Sequence, residues 1–137
     1  MDPMAAGLRF RVQRAARKIP QQHRHIDEVF VRLQAALVRG VLPEVKELFL
    51  QYHGAIEAHF AIEDDVFFSA LHGLHPEQGA ELQKLCDEHQ SFSQDLEELA
   101  DRLNSGILDA FGSGLHSFVA RLALQEAKEA RLLTLQP

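Results

Sequence analysis

One cysteine, one tyrosine and no tryptophan occur in 137 residues. A single thiol, Cys86, cannot close an internal disulfide, so the expected setting is a reducing one, the cytoplasm. Prolines and glycines are few, and most fall between long runs that read as helix. No alternating strand pattern extends beyond a few residues. No apolar run approaches the ~20 residues that span a bilayer, so a membrane is not an expected partner. Cations are the minority, 14 Lys and Arg against 20 Asp and Glu, a net charge of −6. That balance argues against nucleic acid, whose phosphates need a net basic face.

One stretch runs the other way. Arg9, Arg11, Arg14, Arg17, Lys18 and Arg24 cluster near the N-terminus, opposed only by Asp2. Residues 1–19 are expected to form a basic, solvated arm without the apolar segment of a signal peptide. The alternative is a docking surface for an acidic protein partner. Residues 20–137 then make one domain, because the length suits one core.

Punctuation and period divide that domain into four helices. Pro20 can open the first, Ile26, Phe30, Leu33 and Leu37 line one face of it, and Gly40 closes it. Pro43 opens the second, striped by Val45, Phe49, Tyr52 and Ile56 and running on towards Leu71. The third follows Pro76, with Leu82, Leu85, Phe92, Leu96, Leu99 and Leu103. Asn104, Ser105 and Gly106 stop it. The fourth begins near Ile107 and carries Phe111, Leu115, Phe118, Leu122 and then Leu132 or Leu133, with Gly112 and Gly114 expected to weaken its start. Short turns make neighbours antiparallel, so the expected fold is all-α, an up-down-up-down four-helix bundle.

Polar residues interrupt these apolar stripes. They are His23 in the first helix, His59 and Glu63 in the second, His89 in the third, and Gln125 and Glu129 in the fourth. Counted from the turns, His23, His59, His89 and Gln125 fall at nearly one height. Glu63 and Glu129 lie one turn further along. Two carboxylates in a core demand a compensating cation. No lysine or arginine stands on these stripes, which makes a bound metal the economical answer.

The second half repeats the first at a constant offset of 66 residues (89 minus 23). His23 maps to His89, His59 to Gln125 and Glu63 to Glu129. Apolar pairs follow, among them Ile26 with Phe92, Phe49 with Leu115 and Ile56 with Leu122. Two amphipathic hairpins set in phase always match their apolar residues. Matching a histidine pair and a glutamate pair as well points to a pseudo-two-fold bundle around a central site.

In these residues the chain resembles the hemerythrin-like, or HHE cation-binding, domains. Their pattern is a lone His, His-x-x-x-Glu, a lone His, and His-x-x-x-Glu on successive helices. Here these are His23, His59 to Glu63, His89, and Gln125 to Glu129, and the resemblance covers roughly residues 20–135. It implies a metal set of His23, His59, Glu63, His89, Glu129 and the Gln125 position. Iron is the implied metal, as one ion or two, while manganese and zinc also suit such ligands. It further implies a protein that binds, senses or handles oxygen, nitric oxide, peroxide or iron itself. A homodimer is among the assemblies it allows. The departure is Gln125, where the family has histidine. An amide is a poor ligand beside an imidazole, so Gln125 is expected as a hydrogen-bonding neighbour of the ligands. His116 is half a turn out of phase and cannot replace it. The competing reading is a degenerate, metal-poor bundle that serves as an interaction or regulatory module.

Overall fold

The computed structural model describes residues 2–132. Among them are four long helical arms and no strand. Helix α1 spans Pro3–Arg39 and α2 spans Leu42–Ile62. A π-helical turn, Glu63–Phe68, continues α2 directly into α3, Ser69–Leu74. A 3-10 turn, Pro76–Gln78, leads into α4, Gly79–Asn104, and α5 spans Leu108–Leu132. The chain therefore runs up, down, up and down as an antiparallel bundle. No described helix is long and apolar enough to cross a membrane.

Local chemistry sets the ends. Asp2 caps α1, its carboxylate accepting from the Met4 N–H at 3.0 Å, and Pro3 sits where a missing N–H costs nothing. Gly40 ends α1 with φ of +72°, donating its N–H back to Ala36 and Leu37, a left-handed closure that favours glycine. Gly106 does the same between α4 and α5, at φ +76°. Gly112 and Gly114 do not break α5. A Cβ on Gly114 would stand 2.6 Å from the Arg102 guanidinium and 2.7 Å from Leu99, so this glycine lets α5 lie close against α4.

The expected start of the first helix is corrected. Helix α1 begins at Pro3 and passes through Pro20 without a break. A proline inside a helix costs ~3 kcal/mol. Val12, Ala15 and Ile19 outweigh it, because all three are buried against Phe67, Phe68, Leu71, Leu82 and Leu85. Each large apolar side chain so buried contributes roughly 1.5–3 kcal/mol. The segment expected as a basic arm is thus the first half of α1, apolar on one face and cationic on the other. The second helical arm extends about as far as expected, but the π turn within it was not foreseen. At the far end Leu132 is buried, and Leu133 lies outside the described residues.

The core has two apolar clusters. The larger runs from Ile26, Leu33 and Tyr52 to Leu96, Phe118 and Leu122. The smaller holds Val12, Ile19, Phe67, Leu71, Leu85 and Leu132. On all four arms the residues between the two clusters are the polar ones, His23, His59 with Glu63, His89, and Gln125 with Glu129. The site is a polar layer clamped between two greasy ones.

Pro20→Ala restores a backbone donor within α1 and should stabilise the protein by roughly 1–3 kcal/mol with no loss of helical circular dichroism. Urea denaturation reads this, and a loss of stability would contradict a helix continuous through position 20.

Candidate metal centre

Four of the six expected residues converge. His59, Glu63, His89 and Glu129 are buried, each 7% exposed or less. His59 Nε2 stands 2.9 Å from Glu63 Oε1, and His89 Nε2 stands 3.5 Å from the same oxygen and 3.3 Å from Glu129 Oε1. His59, Glu63 and Glu129 each offer one donor atom, all within 4.8 Å of one another, a spread that a single cation can bridge. The fifth, His23, is half-buried at the edge of the layer. Its Nε2 faces His59 Nε2 at 3.0 Å.

Two residues that sequence reasoning did not single out as ligand supports fix the imidazoles. His59 Nδ1 donates to Gln22 Oε1 at 2.9 Å, and His89 Nδ1 donates to Asp64 Oδ1 at 2.7 Å. Each outer bond ties one ring nitrogen and aims the other, Nε2, at the carboxylates, an arrangement typical of metal-ligating histidines. Gln22 adjoins His23 and Asp64 adjoins Glu63, so adjacency was the available signal. The π turn starts at Glu63 and keeps that residue buried while Asp64 reaches His89. Such turns recur at functional sites. Phe60 stacks on the His89 ring at 4.1 Å between centroids and 11°, with Phe68 also near-parallel at 5.8 Å.

Gln125 departs from expectation. It is 1% exposed, but neither amide atom has a hydrogen-bond partner among the described residues, and it lines a groove between α4 and α5 with Phe92 and Arg121. It is not a hydrogen-bonding neighbour of the ligands. A buried amide costs about 1–3 kcal/mol when left unsatisfied. The remaining histidines stand apart. His25, His72 and His116 are exposed, and His53 pairs with Glu57 at 3.5 Å. His75 and Glu77 approach to 3.2 Å at the turn. Cys86 is half-buried, its thiol pushed up to about 12 by burial and by Asp64. Tyr52 packs among Phe30 and Phe118 as a core residue.

A cavity of about 370 Å³ opens on the layer between α1 and α5. His23, Glu63 and Glu129 form its floor, and Ile19, Phe67 and Ala127 are among its walls. Glu126, also overlooked in the sequence, lines it with a carboxyl pushed up to about 7 by burial and by Glu129 and Asp27.

Electrostatics describe a layer short of positive charge. Burial and the nearby Glu129 push the Glu63 carboxyl far up, so it holds a proton. Burial opposes charge on Glu129 too, but hydrogen bonds from His89 and Glu63 outweigh it and keep Glu129 ionised. His59 is held down to about 4 by burial and by its histidine neighbours, which leaves a neutral donor. Burial also lowers His23. His89 is pulled down by burial but carried to about 9 by Asp64 and Glu129. Unmet carboxylate oxygens on Glu63 and Glu129 complete the picture. Neutral imidazole nitrogens and carboxylate oxygens that borrow a proton are the donor set of a divalent cation such as iron, manganese or zinc. The residues fit a metal.

The sign of the pH dependence follows. In metal-free protein Glu63 is protonated when folded and ionised when unfolded above its ordinary value of 4.5. His89 is protonated when folded up to about 9, against 6.5 unfolded. Both contributions are lost as pH rises, so metal-free stability should fall from pH 6.5 to 9. Glu63→Gln should flatten that fall, as read from urea midpoints in chelator. An unchanged slope would show that Glu63 carries no buried proton.

Comparison with protein families matches the chain to the hemerythrin HHE cation-binding domain over residues 14–133. Searches of curated proteins and of solved structures gave no match. The match takes in α1 from Arg14 onward, the other three helical arms and every residue of the polar layer, and the chain belongs to the hemerythrin HHE cation-binding domain family.

Proposed function

We propose that this protein holds non-haem iron in its polar layer and uses it to bind, sense or handle a small ligand such as oxygen, nitric oxide or peroxide. The candidate donors are His23, His59, Glu63, Glu129 and His89. The observation that carries this reading is the pair of outer hydrogen bonds, His59 to Gln22 and His89 to Asp64, which leave both Nε2 atoms facing two buried carboxylates. Iron would supply a coordination position at which such a ligand exchanges. The chain does the rest. Gln22 and Asp64 orient the rings, Glu63 and Glu129 balance the charge, and Phe67 with the alanines of α5 keeps the approach apolar. Glu126 stands in that approach and can hold or release a proton near neutral pH.

A second reading rests on a different observation. Arg9, Arg11, Arg14, Arg17, Lys18 and Arg24 make no ion pair among the described residues, and all are exposed, with Phe10 62% exposed among them. Like charges three and four residues apart on a helix repel. An acidic protein partner would relieve that repulsion, and the bundle would then act as an interaction module.

Protein purified after iron-replete expression should contain stoichiometric iron by elemental analysis. His59→Ala should lose at least nine-tenths of it while keeping its helical dichroism. The iron form should change its optical spectrum on addition of oxygen, nitric oxide or peroxide. Metal-free protein with an intact fold would refute the iron reading and leave the interaction module. A loaded protein silent to all three ligands would refute the ligand-handling reading.

A further inference from the structure

The two halves of the polar layer are unequal. At one pole stand two imidazoles, His23 and His59, their Nε2 atoms 3.0 Å apart, with Glu63 Oε1 2.9 Å from the second. At the other pole the only imidazole is His89. The internal repeat sets Gln125 where His59 has its counterpart, and Gln125 is buried with neither amide atom bonded among the described residues. An ion at the second pole would draw on His89 and on the same two carboxylates that serve the first. The two poles border different openings. The cavity between α1 and α5 is floored by His23, Glu63 and Glu129, whereas His89 borders a separate groove beside Asp64 and Gln94.

Building on the iron-binding reading, we propose that the layer takes one iron ion tightly, at the His23–His59 pole. His89 is then a positioning residue, its ring held between Phe60 and Phe68 and bonded to Asp64 and Glu129.

The test is an anaerobic titration of the metal-free full chain with ferrous iron, followed by desalting and elemental analysis. Wild type should retain one equivalent and Gln125→His two. His59→Gln should lose the tight equivalent and His89→Gln should keep it, with helical dichroism confirming each fold. Nitric oxide added to the one-iron protein should give the paramagnetic resonance signal of an isolated half-integer-spin centre, integrating to one centre per iron. Two equally tight equivalents in wild type, loss of the tight ion in His89→Gln, or a spin-coupled pair would overturn the one-ion proposal while leaving iron binding intact. No retained iron in any form would instead overturn the iron reading itself, and this proposal with it.

Discussion

Two carboxyl groups, Glu63 and Glu129, lie in the middle of a helical bundle with apolar clusters on either side of them. Buried charge of one sign is the most expensive thing a core can contain, and the rest of the site can be understood as its compensation. One carboxyl keeps its proton, His89 leans towards the positive, and His59 stays neutral with a nitrogen ready for a cation. A protonated carboxyl is a poor substitute for a bound metal. It leaves oxygens of Glu63 and Glu129 without partners. The layer is therefore better suited to the metal-bound protein than to the empty one, which is the expected energetic signature of a binding site.

The same constraint explains features that look unrelated to chemistry. The smaller apolar cluster must be closed for the layer to be dry. That closure needs Val12, Ala15 and Ile19, which belong to a helix that has to pass straight through Pro20. The π turn at Glu63–Phe68 widens the second arm at the layer, so that Glu63 and Asp64 both serve the site while Phe67 and Phe68 still reach the smaller cluster. Helix α1 consequently has two duties. Its inner face seals the site, and its outer face carries the cations.

Much of this was legible in the sequence because helical period and burial are local rules. The stripes from Ile26 to Leu37 and from Phe111 to Leu122 mark the faces that turn inward, and the breaks at His59, Glu63, His89 and Glu129 mark the layer. What was illegible depended on tertiary context. Pro20 reads as a helix start because its cost is intrinsic, whereas the packing of Val12 and Ile19 that outweighs it is visible only when Phe67 and Leu85 are in place. The spacing of Leu8, Val12, Ala15 and Ile19 was helical all along, masked by the arginines between them. The π turn leaves no mark in composition. Gln22 and Asp64 were hidden because a supporting hydrogen bond has no period, and Gln125 could be placed in the layer but not shown to be without partners.

The account stands on a cation lying between the two apolar clusters. Crystals of the iron-loaded protein, measured on both sides of the iron absorption edge, test that directly. The anomalous difference map should show its strongest peak within bonding distance of His59 Nε2 and of oxygens from Glu63 and Glu129. A peak elsewhere, for instance at the His72 and His75 turn, or no peak in that layer, would contradict it.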